Sequence, residues 1–361
     1  MMQHSRQSRD GSEATISRRQ FVQGAAVAGI AGSVATTLSA CTPVARIPAP
    51  TTAAPAVDEG ARARVALVRT ADRGEGLRRL LEIVGPLDVA GKRVLIKPNF
   101  NSADPAPGST HPDVLRGVVQ ALHDGGAQQI TVADRSGMGV TRQVMAQLGV
   151  DALAAELGFD VVVLDELDAD AWEITDVPGS HWRQGFPFPR LVSEAGAIVQ
   201  LCCLKTHRFG GHFTLSLKNS VGLVAKSVPG DSYNYMNELH GSKHQRTMIA
   251  EINAAYTPDL VIMDGVEAFV SGGPDRGEQV AAHVMLAGSD RVALDAVGVA
   301  LLRHFGTTPQ VSAGPVFAQE QIARAAALGL GVTSAEQIEL LSDDGEGDAL
   351  IADLQQILQS T

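Results

Sequence analysis

The sequence predicts an α/β fold, a mainly parallel sheet flanked by helices, and three observations lead there. Short aliphatic, β-branched runs at residues 65–68, 93–96, 130–133 and 161–164 are apolar but for Arg93 and Thr131. Strands covered by helices on both faces read this way, whereas half-exposed strands alternate. Segments with helical spacing of apolar residues separate the runs, as crossover connections between parallel strands require. Finally, the runs are followed at once by charged or polar residues, such as Lys97-Pro98-Asn99 and Asp134-Arg135-Ser136. Open parallel sheets collect their ligands beyond the carboxyl ends of the strands.

Taken in order, the chain opens on Ser17-Arg18-Arg19-Gln20-Phe21-Val22, a mild apolar stretch, and then Leu38-Ser39-Ala40-Cys41. Arg18 and Arg19 resemble a twin-arginine export signal, and the small residues before Cys41 resemble a lipoprotein cleavage site. The expectation is a removed signal over 1–40, a diacylated Cys41, a Pro/Ala/Thr-rich disordered tether over 41–60, and an α/β body over 61–361. The protein would then pass through the twin-arginine translocase and stay on the outer face of a bacterial membrane through its lipid. In the body, a strand at 65–68 precedes a helix near 77–83, and the strand at 93–96 precedes a helix after His111. The strand at 130–133 leads to a helix over 142–148 and then the strand at 161–164. Further strands are expected at 197–201, 260–263, 283–286 and 338–341, with helices near 292–305, 316–328 and 349–358. Two lobes, roughly 61–195 and 196–361 with a cleft between them, fit this length. The polar connection over 205–244 is long enough to be a functional loop system, with a helix expected over 213–224.

Composition narrows the partners. The chain holds 29 basic and 40 acidic residues for a net charge of −11, and loss of 1–40, with its four arginines and two carboxylates, would bring it to −13. Such a surface disfavours nucleic acid, so an anionic ligand must be met by a local cluster of cations. Of three cysteines, Cys202 and Cys203 are adjacent and read as buried strand residues. With no CxxCxxC run, no protein-ligated iron–sulfur cluster is expected.

The strand ends name the candidate residues. Lys97 and Asn99 follow the strand at 93–96. Thr110-His111-Pro112 has the proline and cap of a helix start, whose free N–H groups attract anions. Ser136 lies in a glycine-bearing turn after the next strand. Lys205-Thr206-His207 follows the strand at 197–201, with His212, Lys218 and Asn219 close behind. His207, Lys205 and Lys218 are the catalytic candidates, with His207 as general acid or base. Lys97, Asn99, His111, Asn219 and Ser136 are the substrate-binding candidates. Asp134 and Asp264 with His207 and His212 could instead hold a divalent metal, since carboxylate and imidazole suit such ions. His240 and His244, four apart, would share a helix face.

In this order, Lys97-Pro98-Asn99, Thr110-His111-Pro112, Lys205-Thr206-His207, Lys218-Asn219 with Gly222, and Asp264-Gly265 resemble the domain of unknown function 362 family over roughly residues 65–305. Many members of that family append ferredoxin-like cysteine runs, which this chain lacks. Thr110-His111-Pro112, Gly125-Gly126 and Ile130-Thr131-Val132 are also similar, at the level of fold, to the N-terminal part of nickel-pincer lactate racemases. The residues point to an exported enzyme acting on a small carboxylate or phosphate compound in a Lys/His-lined cleft, with metal assistance possible. A ligand- or metal-binding lipoprotein is the alternative, and an accessory protein for exported redox enzymes a minor one.

Overall fold

A computed structural model describes residues 44–49 and 62–360. The expected signal over 1–40, with Arg18 and Arg19, and the lipidation residue Cys41 lie outside the described residues. The strands, in chain order, are β1 (Arg46–Pro48), β2 (Ala63–Arg69), β3 (Arg93–Lys97), β4 (Gln129–Asp134), β5 (Asp160–Val163), β6 (Trp172–Asp176) and β7 (Phe186–Pro189). After them come β8 (Ala197–His207), β9 (His212–Thr214), β10 (Leu260–Gly272), β11 (Gly277–Val280), β12 (Val284–Gly288) and β13 (Ile338–Leu341). One large sheet takes the order β13-β2-β12-β10-β8-β3-β4-β5, with β9 paired to β8 and β11 to β10. Along that path only β12 runs against its neighbours. The fold is thus the mainly parallel α/β architecture that the apolar runs predict.

Period-two alternation sorts the strand residues onto two faces. Val65 and Leu67 of β2, Val261 and Met263 of β10, and Leu286 of β12 pack with the helices Arg291–His304 and Gly345–Gln359. Their neighbours Ala66, Val68, Leu260, Ile262, Met285 and Ala287 pack with the helices Arg73–Val84 and Pro112–Asp124 on the other face. Arg291–His304 is buried from Arg291 to Leu302, because the sheet lies on one side and Glu320–Ala327 and Gly345–Gln359 cover the other. A helix apolar all round belongs in such a core.

Over β3 and β4 the covering layer is a smaller sheet, β1-β6-β7, packed with the helices Tyr235–Gly241 and Gln245–Ile252. Leu95 and Ala133 point into this layer beside Trp172, Phe186 and Leu239. Here the expected tether is corrected. Arg46–Pro48 pairs in parallel with β6, and Ala49 donates its N–H to the Asp176 carbonyl at 2.8 Å, so residues 44–49 belong to the folded body. The expected division at 195/196 is corrected too: the described residues on both sides of it fall in one compact unit. β2 lies between β12 and β13, and β8 lies between β10 and β3, so both halves of the chain share one sheet. Among the described residues no helix is long and apolar enough to cross a membrane.

Candidate functional site

β3 and β4 are adjacent and parallel, and their last residues are Lys97 and Asp134. Lys97 Nζ meets Asp134 Oδ1 at 2.8 Å, with both side chains essentially removed from water. Burial works against both charges, raising the Asp134 carboxyl and lowering the Lys97 ammonium from their ordinary values. Mutual pairing opposes it, as do the N–H groups of Phe100 and Arg135, each 2.7 Å from a carboxylate oxygen. Gly222 closes over this pair. A Cβ there would stand 2.4 Å from Asp134 Oδ1 and 2.8 Å from Lys97 Nζ, so only glycine admits the contact. Arg135, fully buried, donates to the carbonyls of Val221 and Val224 at 2.7 Å and ties this same segment to β4.

β8 runs past its neighbours and turns back into β9, with Lys205 opposite Thr214 and His207 opposite His212. The expected helix over 213–224 is corrected accordingly. Residues 212–214 are strand, followed by one helical turn, Ser216–Asn219, and a 3₁₀ turn, Ser220–Leu223. Ladder bonds to β8 claim the Phe213–Thr214 backbone before a helix can begin. Lys205 Nζ donates to Asn99 Oδ1 at 2.6 Å and to the Gly108 carbonyl. Asn219 Oδ1 accepts from Asn99 Nδ2 at 3.2 Å and from Lys97 Nζ at 3.3 Å, joining the ends of β3 and β8.

The turn that carries Lys218 is fixed on every side of it. Asp295 accepts from the N–H groups of Ser216 and Leu217 at 2.8 and 3.1 Å. Asn253 Nδ2 donates to the Leu217 carbonyl at 3.0 Å, and Asn219 Nδ2 to the Leu201 carbonyl at 2.9 Å. Lys218 itself is 8% exposed, and among the described residues it has no hydrogen-bond or ion-pair partner. Burial, then the nearby Lys205 and Arg135, draws its pKa down to about 7. His207 is also buried, and burial followed by the charges of Lys218 and Lys205 holds its imidazole well below the usual histidine range. It is neutral at pH 7. Its Nδ1 accepts the Phe209 N–H at 3.2 Å, so the ring proton resides on Nε2. Both side chains press on Gly211, where a Cβ would lie 2.7 Å from Lys218 Cε and 3.1 Å from His207 Nδ1.

Lys97, Asn99, Asp134, His207, Lys218 and Asn219 line one small cleft of about 40 Å³. Asn101 and Thr214 also line it, and Asn101 Nδ2 and Thr214 Oγ1 are buried without a hydrogen-bond partner. Buried polar atoms are nearly always paired, so two orphans on residues that line one cleft are candidate donors to a ligand's acceptor oxygens. Neither residue stands out in the sequence. Asn101 belongs to an irregular loop beyond β3, and Thr214 falls where helical spacing is expected.

Other candidates lie elsewhere. Ser136 is fully buried, and its hydroxyl donates to the Phe100 carbonyl at 2.6 Å, a structural bond between loops. His111 caps the helix Pro112–Asp124, accepting the Asp113 N–H at 3.2 Å. Asp264 pairs with Arg73 at 2.7 Å and caps the Val266 N–H. His212 adopts a positive φ of 64° and stands near Arg246 and Glu320. The four proposed metal ligands are therefore not brought together: His207 and His212 stand opposite each other across β8 and β9, while Asp134 is held by Lys97 and Asp264 by Arg73. Among the described residues no group of three or more His, Cys, Asp or Glu side chains converges as a metal site. His240 and His244 fall in and before different helices, and His244 stacks on His181 at 4.2 Å. Cys202 and Cys203 are free and buried.

The chain resembles known proteins in three comparisons. It is 29% identical over 268 residues to the thylakoid-associated protein sll1697 of Synechocystis sp., covering 72% of this chain and 76% of that protein. Among solved structures it matches the lactate racemase apoprotein of Thermoanaerobacterium thermosaccharolyticum at 17% identity and a TM-score of 0.36. That match covers 65% of this chain and 56% of the racemase, a superposition that transfers no residue or reaction. Residues 94–300 match the domain of unknown function DUF362. The matched segment runs from β3 through most of Arg291–His304 and contains every residue lining the cleft, and on it the chain belongs to the DUF362 family.

Proposed function

We propose that the protein is an enzyme that binds a small carboxylate in this cleft and moves a proton on it, with Lys218 and His207 as the acid–base pair. The observation that carries the reading is Lys218, a buried amine without a counter-ion beside a neutral imidazole. Near its drawn-down pKa an amine exchanges protons at neutral pH, and the neighbouring imidazole would return one. The cleft is cationic in a strongly acidic chain: Lys97, Arg135 and Lys218 line it with a single carboxylate, Asp134. Asn101 Nδ2 and Thr214 Oγ1 supply the donors that would orient a carboxylate.

The test is calorimetric titration with small mono- and dicarboxylates, paired with NMR of the same compounds in deuterated water. The reading expects millimolar or tighter binding, roughly −4 kcal/mol or better, and exchange of protons alpha to the carboxylate. Lys218→Met should abolish exchange, and absence of carboxylate binding by the wild type would overturn the reading. In the same proposal the protein works outside the cytoplasm, held by lipid at Cys41. Intact-mass measurement on the membrane fraction should then find a diacylated chain beginning at Cys41, and any other mature start removes the anchor.

A further inference from the structure

Resting on the carboxylate-site reading, we propose that the cleft takes small 2-oxo acids and that Lys218 Nζ attacks their carbonyl carbon to form an imine. The chain has six lysines, of which Lys97, Lys205 and Lys218 are buried. Lys97 donates to Asp134, Asn219 and the Pro98 carbonyl, and Lys205 to Asn99 and the Gly108 carbonyl. Those two amines are engaged as donors. Lys218 alone of the three has no acceptor among the described residues, although its neighbours Ser216, Leu217 and Asn219 are each bonded to the core. The backbone is fixed while the amine is left bare at the cleft wall. A lysine meant to hold an anion by charge is served by partners that keep it protonated, and here those partners are missing. Desolvation beside other cations is the arrangement that turns a lysine into a nucleophile.

The remaining groups complete the chemistry. Asn101 Nδ2 and Thr214 Oγ1 take the carboxylate oxygens of the 2-oxo acid. The lone pair of the neutral Lys218 amine forms the C–N bond as the carbonyl π bond opens onto oxygen. His207 Nε2–H gives that oxygen a proton, and the nitrogen returns one to the imidazole, so the carbinolamine is neutral and His207 is regenerated. A second proton transfer releases the hydroxyl as water while the nitrogen lone pair forms the C=N bond. The sum is amine plus ketone giving imine plus water, with no oxidant or reductant. Gly211 permits the close approach, since any side chain there would occupy the space between Lys218 and His207.

The experiment treats the purified wild-type protein with pyruvate and sodium cyanoborohydride at pH 7, followed by peptide mapping. The expected result is a carboxyethyl group on Lys218, formed at least ten times faster than on the exposed Lys243 and slowed by excess propionate. Lys218→Arg keeps a cation and should lose the adduct from that peptide. An unlabelled Lys218, or labelling no faster than at Lys243, overturns the proposal. Pyruvate binding to the same sample, read by calorimetry, separates the two failures. Binding without the adduct overturns the imine alone, and neither binding nor adduct overturns the carboxylate site with it.

Discussion

Lys218 makes the cost of the cleft measurable. Its pKa of about 7 in the fold lies well below the ordinary 10.5 of the unfolded chain. Between those values the unfolded state binds the extra proton, so stability rises as pH rises from about 7 toward 10.5, by up to about 1.4 kcal/mol per pH unit. Below pH 7 both states are protonated and the full penalty stands. Lys218→Met removes the ionisable group, so the difference between wild type and variant in urea unfolding should be largest at pH 6 to 7, with the variant more stable, and should shrink to near zero by pH 10. A pH-independent difference would mean that the lysine keeps its ordinary pKa. At this same scale the sequence is legible where a strand ends and in the Lys218-Asn219 turn that follows β9. Lys97, Asp134 and His207 are found because strand ends fix position, whereas Asn101 and Thr214 depend on where a loop and a hairpin aim a side chain.

At the scale of elements, the single turn Ser216–Asn219 is too short to hold itself, and its support comes from Asp295 on a distant helix. Burial pushes the Asp295 carboxyl up to about 7 even though Ser216 and Leu217 donate to it. Asp295→Asn replaces one acceptor with a donor against the Leu217 N–H, which should cost about 1–3 kcal/mol in urea unfolding. Because this turn carries Lys218, carboxylate affinity should fall as well, although Asp295 does not line the cleft. Unchanged affinity in the folded variant would uncouple the turn from the site. The long strands and helices here were readable from periodicity, among them Ala63–Arg69, Pro112–Asp124 and Arg291–His304. The strands not expected, β1, β6, β7, β9 and β11, have weaker local signals: β1 and β9 hold three residues each, and the FPFP sequence of β7 carries prolines that only an edge strand tolerates. Tertiary pairing creates these elements, and no window of neighbouring residues contains it.

For the whole molecule, the controlling fact is that β2, near the start of the described body, is flanked by β12 and β13 from its far end. Removing residues 338–360 would strip β13 from β2 and uncover the core around Leu294 and Leu301 that Leu350, Leu354 and Leu358 close. A chain ending at 337 should lose at least several kcal/mol, since each buried leucine contributes roughly 1.5–3 kcal/mol, and limited proteolysis should cut it at concentrations that spare the full chain. Equal resistance would show that the last strand and helix are dispensable. The same interleaving sets a clock on biosynthesis. The cleft strands β3, β4 and β8 leave the ribosome well before the sheet can close, because β2 must wait for residues some 220 and 275 positions later. Contacts so distant in sequence form slowly and late. A transport route that accepts only finished proteins would therefore have to hold its N-terminal address unread until the last helix has emerged.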